Sequence, residues 1–158
     1  MSKLKTLSVT SLFPAAPDVI WRRLIRIETL QYVASPLLMF EPASHEDAVW
    51  RAGETAQFLL RLLDILPLGL HTLRLETVDH ATYTVQTRES SRLLPVWNHR
   101  ITIEPMGSGS SFYTDTVQIG AGRRTSFIHL FARVFFRHRH RRWLKLLKGA
   151  TPGSAGTA

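Results

Sequence analysis

Polar and apolar residues alternate with a period of two through the middle of the chain, from Glu54 to Ala121. This alternation is typical of β-strands that bury one face. Short breaks rich in glycine, proline and serine divide the region, and gaps this short favour antiparallel hairpins over crossovers. We therefore predict five strands, at about residues 54–65, 68–79, 82–90, 94–105 and 111–121.

The N-terminal quarter of the chain combines strands with short helices. Residues 4–13 alternate and contain β-branched side chains, which predicts a strand. Asp18 stands where a helix N-cap is expected, and apolar residues then recur at helical spacing through residues 20–27. A second short helix at 29–33 and a short strand at 37–42 complete this part of the pattern.

A long amphipathic helix is predicted near the C-terminal end. We expect Thr125 or Ser126 to cap it and the helix to run to about Lys148. Residues 149–158 contain only small residues and one proline, so we expect a flexible tail. The stripe that would face the sheet consists of Ile128, Phe131, Ala132, Phe135, Phe136, Arg139, Trp143, Leu146 and Leu147.

The order of these elements predicts an α+β domain. An antiparallel sheet with one apolar face must cover that face, and only the C-terminal helix is long enough to do so. We therefore expect a curved antiparallel sheet wrapped around this helix, with two short helices after the first strand.

Five segments resemble the START-like, or helix-grip, superfamily: SVTSLFPAAPDVIWRRL, LPLGLHTLRLETVD, WNHRITIEP, FYTDTVQIGAG and FRHRHRRW. The superfamily includes polyketide cyclases, pollen-allergen-type carriers of hydrophobic ligands and coenzyme-Q-binding proteins. The chain is most similar to bacterial single-domain members described as cyclase/dehydrase-like or uncharacterised. The resemblance covers residues 1–148 as one domain, and it implies the helix-grip fold with an apolar ligand held between sheet and C-terminal helix.

Composition and charge narrow the possible chemistry. The chain has 158 residues, a formal net charge of +8 and no cysteine, which excludes disulfides, thiolate metal sites and a cysteine nucleophile. The first 122 residues carry a net charge of −1, and the nine basic residues from Arg123 to Lys148 have no acid among them. No apolar run is long enough to span a membrane and no signal peptide is evident, so we expect a cytoplasmic protein.

Alternation places a few polar residues on the apolar face of the sheet. A hairpin turn near residues 107–109 would put His99 opposite Val117, with Asp115 on its diagonal within side-chain reach. Arg139 lies in the apolar stripe of the helix, and a buried arginine needs an acidic partner such as Asp115 or Glu89. The candidate ligand-binding residues are His71, Tyr83, Glu89, Trp97, His99, Tyr113, Asp115, Phe131, Phe135 and Arg139.

Two interpretations of this polar set remain open. The first is structural, a His–Asp pair or an Arg–carboxylate bridge that fixes the helix against the sheet. In the second, the same groups line the cavity and orient a ligand, either for binding alone or for catalysis with His99 and Asp115 as general acid and base. No motif with defined catalytic spacing is present. We therefore favour non-catalytic binding of a lipid-, quinone- or polyketide-like molecule. The alternatives are a cyclase or aromatase, or a peripheral membrane or partner-binding module that acts through the basic C-terminal helix.

Metal and cofactor binding are not expected from the sequence. His138 and His140 are two residues apart on a helix, so their side chains point roughly 200° apart and cannot chelate one ion. No cofactor-binding motif is present either.

The basic helix allows three interpretations. Its charges form a solvated outer face, or they contact an anionic membrane surface, or they bind nucleic acid. Nucleic acid is the least favoured partner, because no aromatic residues are interleaved on the charged face. The residues that would contact a membrane are Arg137, Arg141, Arg142 and Lys145.

Overall fold

The computed structural model describes residues 3–43 and 48–149. Its strands are β1 (Lys5–Phe13), β2 (Leu38–Pro42), β3 (Thr55–Leu62), β4 (Leu66–Asp79), β5 (Thr84–Ser91), β6 (Val96–Met106) and β7 (Ser110–Gly120). Its helices are α1 (Pro17–Leu24), α2 (Ile27–Ala34) and α3 (Thr125–Gly149), and a 3-10 turn at Gly122–Arg124 precedes α3. Each predicted strand of the middle region is confirmed, with ends that agree within three residues.

The strands form one antiparallel sheet in the order β1-β7-β6-β5-β4-β3-β2. Each strand from β2 to β6 pairs with the strand that follows it in the chain. Strand β1 pairs with β7 and forms the edge of the sheet opposite β2. Register shifts at Leu60/Arg61 and Leu75/Thr77 mark bulges, which bend a strand and increase its twist. The curved sheet packs around α3, so the predicted α+β helix-grip architecture is confirmed.

Helix α1 begins differently from the expectation. Pro17 is its first residue, a position where the missing N–H of proline costs no hydrogen bond. The N-cap is Ala16, so the prediction that Asp18 caps the helix is wrong. Asp18 lies in the first turn instead, where its negative charge interacts favourably with the positive end of the helix dipole. Its Oδ2 atom is 2.7 Å from Nη2 of Arg22.

Helix α3 begins at Thr125, one of the two residues predicted to cap it. The Thr125 hydroxyl accepts a hydrogen bond from the Ala121 N–H at 2.9 Å and donates one to the Gly122 carbonyl at 2.8 Å. The helix continues to Gly149, one residue beyond the predicted end. The rest of the predicted tail, residues 150–158, lies outside the described residues.

The C-terminal half of α3 is tightly packed on the sheet. Trp143 is fully buried, with its ring 6.0 Å from that of Phe13 and 5.4 Å from that of Tyr113. Leu147 continues this contact toward the end of the helix. The N-terminal half of α3 does not close on the sheet in the same way, and this difference leaves a cavity between the two.

Candidate functional site

A cavity of about 290 Å³ lies between the N-terminal half of α3 and the concave face of the sheet. Of the 21 described residues that line this main cavity, only six are polar or charged. Strands β2 to β6 supply one wall, and residues such as Phe131 and Phe135 of α3 supply the other. The volume is at the lower end of the roughly 300–1,000 Å³ typical of small-molecule sites. A side cavity of about 50 Å³ shares Leu30, Leu73, Glu89, His99 and Arg139 with it.

Asp115 is the centre of a buried polar network at the closed end of the main cavity. Its side chain is fully enclosed, and its two oxygens take different partners. His99 Nε2 lies 2.7 Å from Oδ1, and His140 Nε2 lies 2.8 Å from Oδ2. Arg139 Nε is 3.5 Å from Oδ2, so one carboxylate holds two imidazoles and a guanidinium.

These partners keep Asp115 ionised. Burial by itself would raise the pKa of Asp115, but the charge of Arg139 and the hydrogen bonds from His140 and His99 lower it well below its usual range. An ionised carboxylate only accepts hydrogen bonds. His99 and His140 must therefore each carry a hydrogen on Nε2, which fixes the orientation of both rings.

Arg139 and Tyr113 complete this network. Arg139 Nη2 donates to the Tyr113 hydroxyl oxygen at 3.1 Å. Burial opposes the charge of Arg139, but Tyr113 and Asp115 outweigh it and raise the pKa of the guanidinium, so it stays charged. Burial also raises the pKa of Tyr113, which keeps its hydroxyl protonated.

A second buried carboxylate, Glu89, stands beside the first network. Glu89 Oε2 is 2.7 Å from His71 Nε2, and Oε1 accepts a hydrogen bond from the Thr87 hydroxyl at 2.6 Å. Burial would raise the pKa of Glu89, but the hydrogen bond and the charge of His71 lower it. Glu89 Oε1 is also 3.9 Å from His99 Nδ1, so His99 lies between two carboxylates.

The structure brings together most of the residues proposed from the sequence. The expected register is confirmed, since His99 is opposite Val117 and bonds to Asp115 across the strands. Arg139 has Asp115 as its acidic neighbour, which was one of the two expected partners. The predicted residues that line the main cavity are His71, Glu89, Trp97, His99, Phe131, Phe135 and Arg139.

Three proposed residues lie outside both cavity linings. Asp115 and Tyr113 are enclosed behind His99 and Arg139 and reach the cavities only through these neighbours. Tyr83 lies in the turn before β5 with φ 52°, so it leaves the strand alternation on which its placement was based. Its ring packs on Trp21 of α1 at 5.6 Å.

His140 is the member of the network that sequence reasoning missed. It follows Arg139 directly and was not included in the stripe predicted to face the sheet. The spacing of Phe136, His140, Trp143 and Leu147 is four, three and four residues, which is the signal of a continuous buried stripe. His140 Nδ1 also bonds to Ser11 Oγ at 2.7 Å, and this ties α3 to β1.

The basic residues of α3 do not form one free surface. Arg142 was expected at a membrane, but its Nε donates to the Tyr32 carbonyl at 3.1 Å and its Nη2 to Ser35 Oγ at 3.2 Å. Its guanidinium also stacks 3.9 Å above the Tyr32 ring. Arg142 therefore joins α3 to α2, whereas Arg137, Arg141 and Lys145 are exposed.

No helix of residues 3–43 and 48–149 is both long and apolar enough to span a membrane. In the same part of the chain, no group of three or more His, Asp and Glu side chains is arranged to hold a metal ion.

A family model described as a domain of unknown function (DUF8410) matches residues 11–147. The chain belongs to this family. No curated protein matches the DUF8410 chain.

Solved structures with the same architecture are distant in sequence. Norcoclaurine synthase from Thalictrum flavum, in complex with dopamine and hydroxybenzaldehyde, matches with a TM-score of 0.72 at 13% identity over 95% of this chain and 90% of that one. Protein CV1439 from Chromobacterium violaceum matches with a TM-score of 0.68 at 11% identity, over 90% and 96% of the two chains. Protein Ms6760 from Mycobacterium smegmatis gives 0.68 at 17% identity, over 95% and 98%. These matches confirm that the DUF8410 chain has a START-like helix-grip fold.

Proposed function

We propose that this DUF8410 protein binds an apolar small molecule, lipid-, quinone- or polyketide-like, in the main cavity. The observation that carries the proposal is the cavity itself, about 290 Å³ with a predominantly apolar lining. Open apolar space of this size is unusual in a protein interior, which is normally close-packed. The polar groups at the closed end, His99, Glu89 and Arg139, would orient one polar atom of the ligand.

A pair of cavity-filling variants tests this proposal. Leu60 lines only the main cavity, whereas Leu75 lines only the side cavity of about 50 Å³. We expect Leu60→Trp to fold normally and to lose binding of an apolar probe such as nitrobenzene, because the indole occupies the ligand's space. Leu75→Trp has no such space and is expected to lose about 1–3 kcal/mol of stability through overpacking. Probe binding that is equal in wild type and Leu60→Trp would refute the proposal.

Acid–base catalysis of the cyclase or aromatase type is a second candidate function. The observation in its favour is that His99 has one nitrogen fixed by the buried Asp115 while its ring lines both cavities. This arrangement holds the ring as a general base or acid for a bound ketone. A linear triketone tests it: wild type should accelerate cyclisation, and His99→Ala should retain nitrobenzene binding but lose about 10²-fold or more in rate. A wild-type rate equal to the uncatalysed one would eliminate this candidate.

An anionic membrane surface is the proposed source of an apolar ligand. Phe127 is 74% exposed and Leu93 is 42% exposed, yet both line the main cavity, so they mark its mouth. Ile65, at the tip of the β3–β4 hairpin, is 81% exposed. Arg123 and Arg124 are exposed beside Phe127, and each basic residue near an anionic surface contributes about 1 kcal/mol.

Vesicle co-sedimentation tests this contact. We expect binding to vesicles that contain phosphatidylserine, weakening with salt, and a strong loss in Phe127→Ser. Val134→Ser is the matched control, because Val134 is 55% exposed on the same helix but does not line the mouth. Binding that is unchanged in Phe127→Ser, or equally strong to neutral vesicles, would contradict the proposed contact.

A further inference from the structure

Two nitrogen atoms at the closed end of the main cavity have no hydrogen-bond partner among the described residues. His99 uses Nε2 for Asp115, and its Nδ1 is 3.9 Å from Glu89 Oε1, beyond hydrogen-bond distance. Arg139 uses Nη2 for Tyr113, and its Nη1 makes no hydrogen bond. Arg139 Nε and His71 Nδ1 are fully enclosed and have no hydrogen-bond partner in the described part of the chain. His99 Nδ1 and Arg139 Nη1 also have no partner there, but they are not fully enclosed.

Both residues lie at the boundary of the cavities. His99 and Arg139 line the main cavity and the side cavity, and both are held by the same Asp115 carboxylate. Arg139 is 4% exposed and His99 is 8% exposed, so bulk water does not saturate these groups. A ligand atom at this point would meet a hydrogen-bond donor on Arg139 and the second ring nitrogen of His99.

We infer that the ligand of the main cavity carries an acidic hydroxyl group, of the phenol or enol class, and that its oxygen is held as an anion between His99 Nδ1 and Arg139 Nη1. The inference rests on the proposed ligand-binding function. The hydroxyl O–H bond breaks and an N–H bond forms at His99 Nδ1, while the electron pair stays on the ligand oxygen. Arg139 then donates a hydrogen bond to that oxygen, and no further reactant is required.

The charges around His99 favour this proton transfer. Asp115 on β7 lies at its Nε2 and Glu89 on β5 lies near its Nδ1, so an imidazolium would be flanked by two carboxylates. From α3, Arg139 faces the same site, together with His140 on the other oxygen of Asp115 and the Phe136 ring at 5.2 Å. The guanidinium stabilises the ligand anion, and the carboxylates stabilise the proton on His99.

The same charges disfavour a carboxylate ligand. Apart from its histidines, this buried cluster holds two carboxylates, Asp115 and Glu89, against the one guanidinium of Arg139. A carboxylate would bring a further negative charge into the cluster and would have to be desolvated on entry. A hydroxyl enters neutral, and its proton remains in the site, so the total charge does not change. The site therefore distinguishes an acidic hydroxyl from a fatty-acid headgroup.

Three matched probes test the inference: 4-nitrophenol, nitrobenzene and 4-nitrobenzoate. The phenolate form of 4-nitrophenol absorbs visible light, so ionisation in the site is read directly by spectroscopy. An opposite charge or a hydrogen bond to the anion lowers a pKa by about one to three units. We therefore expect wild-type protein to raise the phenolate-to-phenol ratio of the bound probe at least about tenfold at a pH below the midpoint of the free probe. We also expect 4-nitrophenol to bind more tightly than either other probe.

Two variants locate the effect. His99→Gln is expected to remove the phenolate signal while nitrobenzene binding persists. His138→Gln is the matched control, because His138 is next to Arg139 on α3 but bonds to the Ser35 carbonyl outside both cavities, so the signal should remain. A site that binds nitrobenzene but does not ionise 4-nitrophenol, or that prefers 4-nitrobenzoate, would overturn the inference and leave the ligand-binding function standing. Failure of all three probes to bind would overturn both.

Discussion

Replacing Asp115 by asparagine should strongly destabilise the protein. The variant keeps the shape of the side chain but removes the charge that faces Arg139 at 3.5 Å. In the wild type, Nε2 of His99 and Nε2 of His140 bond to the carboxylate at 2.7 and 2.8 Å. The variant places an NH₂ group against the hydrogen of one of these two nitrogens. Asp115 is 1% exposed and Arg139 is 4% exposed, so water cannot replace the lost partner.

The expected size of this effect follows from the burial of the pair. Removal of one partner of a buried ion pair costs about 3–5 kcal/mol, because the other charge is left uncompensated. The whole folding free energy of a domain is about 5–15 kcal/mol. At about 2–4 °C per kcal/mol for a chain of this size, Tm should fall by roughly 10 °C.

Urea unfolding followed by tryptophan fluorescence measures the change. The midpoint should shift while the slope of the free energy of unfolding with urea stays constant, because the same surface is exposed. Asp64→Asn is the control, since Asp64 forms an exposed pair with Arg61 at 3.1 Å and should change stability by less than about 1 kcal/mol. An Asp115→Asn effect as small as that of the control would refute the assignment of Asp115 as the centre of the network. The double variant Asp115→Asn/Arg139→Met should be more stable than Asp115→Asn alone, because it removes the uncompensated charge.

Three further predictions follow from particular contacts. Folding lowers the pKa values of Asp115 and Glu89, so the unfolded chain binds more protons at acidic pH. The stability that these two carboxylates contribute should be fully present above about pH 5 and should decline as the pH falls. Urea midpoints measured across this pH range should show a shallower decline in Asp115→Asn than in wild type. Gly120→Ala would place a Cβ atom 3.2 Å from Val96 Cβ and 2.5 Å from Cδ2 of Leu4, whose side chain is 43% exposed and can rotate away. Thermal unfolding should therefore show a loss of no more than about 1 kcal/mol, and a larger loss would contradict this packing. Arg142→Ala should lower the free energy of unfolding by about 1–2 kcal/mol, because it removes the contacts with Tyr32 and Ser35. Arg141 is exposed, so Arg141→Ala should leave the stability unchanged. Equal effects of the two variants on the urea midpoint would contradict the role of Arg142 in joining α3 to α2.

The fold was predictable because its strands carry a strict period-two pattern. In β6 and β7 most inward positions are apolar, so the ionisable residues among them, His99 and Asp115, could be placed on one face. The short turn between these strands then fixed their register, and with it the contact between the two side chains.

Features that depend on three-dimensional packing were not predictable in the same way. Tyr83 has a positive φ in a turn, and alternation does not apply there. His140 is buried because the curved sheet covers a wider arc of α3 than one apolar stripe indicates. The membrane-facing role assigned to Arg142 overlooked its packing on α2, because the contact between two helices distant in sequence leaves no local pattern. The cavity volume is set by how far the N-terminal half of α3 stands from the sheet, which no residue pattern records.

The central claim is that the main cavity is a ligand site, and the four tryptophans provide its most direct test. Trp97 lines the main cavity, Trp50 and Trp143 line only the side cavity, and Trp21 lines neither. In an NMR titration with nitrobenzene, the indole N–H signal of Trp97 should shift to saturation while that of Trp21 stays in place. Signals that do not saturate, or a shift of Trp21 as large as that of Trp97, would contradict the claim.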